Sequence, residues 1–129
     1  VNALLPSAPA LFVAWAKTNT ALNAIQAGRV ATKLNATLPA TRVQRIGGIP
    51  ESPQIDQPIL QVECWAADEV TAERLARTYV AELDTFRHRA PTGQVFTYSF
   101  ESGPFYSPDD PALSQNVRYL FSIRLVTTA

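Results

Sequence analysis

Methionine is missing from this chain, and cysteine and histidine occur once each, as Cys64 and His88. A lone cysteine excludes an internal disulfide. A lone histidine excludes metal sites that need two imidazoles and leaves any nucleophile a single possible imidazole partner. Long apolar runs are also missing, since none approaches the roughly 20 residues needed to span a bilayer. No charged leader precedes the first apolar stretch, so a soluble protein with no visible address is expected. Nor is there an excess of charge of either sign, because eleven Lys and Arg balance eleven Asp and Glu. Such a chain has no overall field to draw in nucleic acid or anionic lipid.

What is present is the composition of a globular protein, 47% hydrophobic and 17% charged, and the length suits one domain. That domain spans residues 1–129, with 1–7 as an N-terminal arm, and should bury roughly two thirds of its unfolded surface without staples. Ten prolines are expected to punctuate loops. Charge is unevenly distributed along the chain. Lys17, Arg29, Lys33, Arg42 and Arg45 all precede the first acid, Glu51, and acids dominate the middle. The folded molecule either carries a basic and an acidic side or intermixes them.

The organising stretch runs from Gln57 to Arg89. In Ile59 to Trp65 the alternate residues Leu60, Val62 and Cys64 suit a core, whereas Gln61, Glu63 and Trp65 face outward. The residues Ala72, Leu75, Ala76, Tyr79, Leu83 and Phe86 then recur at the spacing of one helical face. Acids at its start and Arg87, His88 and Arg89 at its end suit the helix dipole. So short a connection folds this helix back over the inward face of the strand.

Before it, Ser7 as cap and Pro9 in the first turn predict a helix from about Ala8 to Thr18 or beyond. Arg29 to Leu34 and Thr41 to Ile46 alternate as strands. The second ends at Gly47-Gly48 and a loop holding Pro50, Pro53 and Pro58, which makes it one arm of an antiparallel hairpin with a long tip. After a turn at residues 90–93, Gln94 to Glu101 alternates, with Phe96, Tyr98 and Phe100 on one side and Val95, Thr97, Ser99 and Glu101 on the other. A loop from Ser102 to Gln115 leads to the last strand, from Val117. The economical arrangement is α+β: a single, mostly antiparallel sheet of four to five strands with two α-helices packed on one face. Its other face shows Gln61, Glu63, Trp65, Thr97, Ser99, Arg118, Ser122 and Arg124.

No residue set reads as catalytic, metal-binding or cofactor-binding. Cys64 falls on the core side of its strand. His88, between two arginines at a helix end, reads as a dipole partner. Asp109-Asp110 reads as a solvated turn, since two adjacent carboxylates point apart. Gly47-Gly48 lacks the strand-to-helix setting and the lysine of a phosphate loop. The remaining features are those of an interaction protein. Trp65 projects from the outer sheet face, unless a loop of its own chain covers it, and Phe105-Tyr106 lies in an exposed-looking loop.

The run Arg42-Val43-Gln44-Arg45-Ile46-Gly47-Gly48, Asp56 and then Leu60-Gln61-Val62-Glu63-Cys64-Trp65-Ala66 resembles tail terminator proteins of long-tailed bacteriophages, especially those of actinobacterial hosts. Gly103 to Asp109 and Arg118-Tyr119-Leu120-Phe121 are similar to that family's late loop and final strand. The resemblance implies a hexameric ring that caps the tail tube, stops polymerisation of the major tail protein and docks the head–tail connector or stopper. It implies a virion location at the neck end of the tail, with assembly in the host cytoplasm. It implies no enzyme activity, no cofactor, no membrane and no sequence-specific nucleic acid beyond the genomic DNA that a ring lumen would pass. Contacts would then fall on Arg45, Gly47 and Gly48 before the proline loop. Glu63, Trp65, Arg118 and Arg124 would contribute from the outer sheet face, and Phe105 and Tyr106 from the late loop. Another neck or head-completion protein, or a cellular small-molecule binding domain, are the alternatives.

Overall fold

The computed structural model describes residues 4–89, 95–107 and 116–128. Among these, the chain is α+β, with three helices over one face of a mixed, seven-stranded sheet. Ser7 caps α1 (Ala8–Thr18) by accepting from the Ala10 N–H, and Pro9 sits in the first turn, where a missing N–H costs nothing. The expected first helix does not simply continue beyond Thr18. Asn19 ends α1 and caps α2 (Thr20–Gln26), its side chain accepting from Leu22 N at 3.0 Å. A residue that competes for backbone bonds thus breaks one predicted helix into two.

The strands are β1 (Val30–Ala31), β2 (Ala40–Gly47), β3 (Pro50–Ser52), β4 (Ile55–Asp56), β5 (Ile59–Ala66), β6 (Val95–Tyr106) and β7 (Val117–Thr128). β2 pairs with β5, β5 with β7, and β7 with β6, all antiparallel. β1, only two residues long, pairs in parallel with Thr41 and Arg42 at the far side of β2. The proline-bearing loop expected between β2 and β5 is itself paired. Gly47 lies opposite Ile59 and Pro50 opposite Asp56, so β2–β3 and β4–β5 are the two arms of one kinked hairpin. β4 and β5 share one ladder on β7. Asp56 faces Thr127, Leu125 N donates to Pro58 O at 2.9 Å, and Ile59 faces Arg124. Proline is tolerated there because only its carbonyl is asked to bond.

The expected loop after Glu101 also begins later. β6 continues to Tyr106 through a bulge between Ser102 and Phe105. Gly103, at φ +79°, makes this possible, since a Cβ there would meet the Leu120 carbonyl oxygen at 2.5 Å. A second irregularity between Val95 and Thr97 turns Val95 inward, where it is buried opposite Thr127, against the expected outward position. The turn at residues 90–93, the rest of the late loop from Pro108 and the first three residues of the arm lie outside the described residues.

The core fills the space between helices and sheet. Asp68 caps α3 (Glu69–Arg89), with the Thr71 N–H and hydroxyl donating to its carboxylate at 2.8 and 2.9 Å. Those bonds hold the Asp68 carboxyl below its usual range. Ala72, Leu75, Ala76, Tyr79, Leu83 and Phe86 form the buried stripe of α3, as their spacing predicts. They meet Leu60, Val62 and Cys64 of β5, Phe121, Ile123 and Leu125 of β7, and Leu11, Phe12 and Trp15 of α1. Phe12 stacks on Tyr79 at 5.6 Å and meets Phe86 edge-on at 5.4 Å. One polar knot sits inside: buried Gln26 accepts from the Thr41 hydroxyl at 2.7 Å and from Tyr79 OH at 2.9 Å through one oxygen. It ties α2, β2 and α3 together.

Candidate interaction site

Among the described residues no group of three or more His, Cys, Asp and Glu could hold a metal. Cys64 is wholly buried, and burial pushes its thiol far above the ordinary range, which suits packing and not reactivity. An open cleft of about 380 Å³ lies where α1, α2 and α3 meet. Thr18, Asn19, Thr20, Glu82 and Thr85 line it, a set with no nucleophile beside a base. The side chain of His88 and the pair Asp109-Asp110 lie outside the described residues.

The helix-free face of the sheet is organised by one buried carboxylate. Glu63 is 1% exposed although it points away from the core. Arg42, its register partner on β2, donates through Nε to one oxygen, and Arg118 on β7 donates through Nη1 to the other at 2.7 Å. Arg118 also donates from Nε to the Ser107 carbonyl at 2.8 Å, and its guanidinium lies 5.4 Å from the centre of the Trp65 ring, its register partner. Two expectations are corrected here. Glu63 and Trp65 lie on the outer face, yet Trp65 is only 5% exposed and its indole N–H has no hydrogen-bond partner. A long-range arginine thus lies over the ring of an aromatic that alternation alone placed in solvent. Farther along, Arg124 donates to Glu101 on β6 at 2.7 Å, a pair more than a third exposed at both ends.

Arg45, Gly47 and Gly48 are likewise committed within the chain. Arg45 grips buried Asp56 with two bonds of 2.6 and 3.0 Å and also donates to the carbonyls of Gly47 and Gly48. This forked contact fixes the kink of the hairpin. Gly48 has φ +86°, and a Cβ on it would fall 2.0 Å from the Gln57 carbonyl oxygen, so only glycine lets the two arms approach so closely. These residues shape the backbone; the guanidinium expected as a free contact is occupied.

Apolar side chains do reach solvent, at Leu4 before α1, at Val70 in the first turn of α3 and, in greater number, at the two edges of the sheet. Phe105 and Tyr106 are about half exposed, as anticipated, although they belong to β6 and not to a loop. Phe100 joins them on the same strand. At the opposite edge, Ile46 and Ile49 are exposed, Ile49 at 76%. Alternation gave no reason to single out these isoleucines, but the setting of Ile49 between Gly48 and Pro50 was a signal, since such a loop position rarely reaches a core. No described helix is long and apolar enough to cross a membrane. The chain matches no protein-family model, and no curated protein matches it.

Proposed function

We propose that this chain is a virion structural protein that caps the tail tube of a long-tailed bacteriophage as a ring. It ends tube polymerisation and offers the surface on which the head–tail connector docks. The short motifs around Arg42, Leu60, Gly103 and Arg118 support this reading, as does the sheet with helices on one face only. The observation that carries it is the distribution of exposed apolar side chains. Among the described residues, five of the seven exposed large apolar side chains sit on two opposite sheet edges, while the charges between them are largely spent on one another. A molecule built this way works by covering surface, and identical subunits multiply each modest contact around a ring. On this reading the protein is not an enzyme, needs no cofactor, and resides at the neck end of the tail. Electron microscopy of particles assembled with and without the protein tests it. Overlong tails in its absence are the expected result. Tails of normal length overturn the proposal, and filled heads lacking tails assign the chain to head completion instead.

A further inference from the structure

The corner between α1 and α2 lies against α3 and leaves a cleft of about 380 Å³, lined by Thr18, Asn19, Thr20, Ala21, Glu82 and Thr85. That is room for a small ligand. The corner exists because Asn19 ends one helix and caps the next, which fixes its side chain at the cleft wall. The cleft lies on the helix layer, away from the sheet edges, and owes nothing to the tail reading.

What the cleft offers a ligand follows from which atoms are already used. Thr85 donates its hydroxyl proton to the Glu82 carbonyl at 2.7 Å and accepts from the Trp15 indole N–H at 3.0 Å. Thr18 donates its own to the Trp15 carbonyl at 2.9 Å, so toward a ligand it is an acceptor. Asn19 spends its oxygen on Leu22 N, and its amide nitrogen reaches Glu82 and Thr85 only at 3.5 Å. The Glu82 carboxylate is thereby left with one long contact to a neutral donor. It is half-buried, and no cation pairs with it among the described residues. Lys17, the only charged residue of α1 and α2, makes no ion pair there either.

A carboxylate drawn partly out of water is screened less than one at the surface, so a cation brought to it gains more. Thr18, Thr20, Ala21 and Thr85 also each carry a methyl group, the kind of surface along which an alkyl stem packs. We propose that this cleft binds a primary alkylammonium group, its nitrogen donating to the Glu82 carboxylate and the Thr18 hydroxyl oxygen. Because Asn19 already approaches one carboxylate oxygen, a compact ammonium suits the other better than a forked guanidinium does. A free diamine and a lysine side chain presented by another protein supply the same group.

Backbone amide NMR of the full chain, titrated with cadaverine at constant ionic strength, tests the site. Saturable shifts are expected at Thr20, Ala21 and Thr85. Glu82→Gln, uncharged and of nearly the same shape, is expected to weaken binding about tenfold or more, with an otherwise unchanged spectrum showing that it folds. Lys17→Met is expected to leave the affinity as it is. A lysine blocked at both termini separates the two sources: binding at least as tight as that of cadaverine assigns a lysine side chain, and weaker binding assigns a free amine. No saturable shift with either amine, equal affinity in Glu82→Gln, or the same shifts with neutral pentanol overturns the proposal. Binding that appears only in Lys17→Met means that the chain's own lysine holds the carboxylate, and overturns it too.

Discussion

Neighbouring residues of β5 are buried to the same degree on opposite faces of the sheet, and by opposite means. Leu60, Val62 and Cys64 vanish beneath three helices, where apolar contact area does the stabilising. Glu63 and Trp65 vanish on the face that carries none of the described helices, where two arginine heads bond the carboxylate and one of them, also held by the Ser107 carbonyl, lies over the indole. Burial therefore says nothing about which layer a residue belongs to. The helix face tolerates exchange among apolar side chains of similar volume, whereas the other face depends on each charge having its partner.

That contrast can be broken first where the two faces should behave alike. Phe12→Ala under the helices and Trp65→Ala on the other face each remove a large buried ring, and each is expected to lose about 4 kcal/mol in urea unfolding. A loss below about 1 kcal/mol for Trp65→Ala would mean that burial on this face contributes far less than burial under the helices. The next effect separates the faces. Glu63→Ala leaves two arginines without their carboxylate, and since both guanidiniums retain some access to water the expected loss is about 2–3 kcal/mol. Replacing Arg42, Glu63 and Arg118 together by Met, Leu and Met is expected to recover part of it, because the buried carboxylate and the two guanidiniums bonded to it are removed together. Glu101→Ala, at the exposed rim of the same face, should cost under about 1 kcal/mol, and less still in high salt.

The smallest effect is in the alkaline range. The Tyr119 phenol donates to the Glu69 carboxylate, and that bond pushes its pKa up to about 12. The fold favours the protonated phenol. Its contribution is therefore complete below the ordinary phenol value of about 10 and is lost as pH rises through about 12. In an absorbance titration of tyrosinate, the late Tyr119 transition is expected to move earlier in Glu69→Gln, while Tyr79, whose phenol burial raises further still, stays protonated beyond it. Tyr98, raised by its bond to Asp84, shifts in the same direction.

Local periodicity was enough to place α3 with every residue of its buried stripe, the alternation of β5 and β7, and the α+β class. It failed where a single residue redirects the chain. Asn19 satisfies a helix start better than a helix interior, so one expected helix is two. Prolines 50 and 58 read as breakers, yet both occupy paired positions in which no N–H is required. Gly103 let a strand pass through a segment that looked like loop. At the candidate site, alternation put Glu63, Trp65, Arg118 and Arg124 on the correct face. What it could not reveal was that Arg118, more than fifty residues away in sequence from Glu63 and Trp65, would cover them. The exposed edge formed by Ile46 and Ile49 depends on β1 being only two residues long, a matter of tertiary pairing and not of local pattern.

The fork between Arg45 and Asp56 has a mechanical side. Asp56 lies opposite Thr127 in the same ladder that carries Pro58 and Ile59 along β7, and the fork fastens the β2 arm to that ladder across the kink. A push on the hairpin tip cannot simply swing it about Gly47 and Gly48. The ladder that anchors the fork is β7, and β7 also pairs with the strand that bears Phe100, Phe105 and Tyr106. The kink and the far edge of the sheet are thus joined through paired strands alone, with no helix between them.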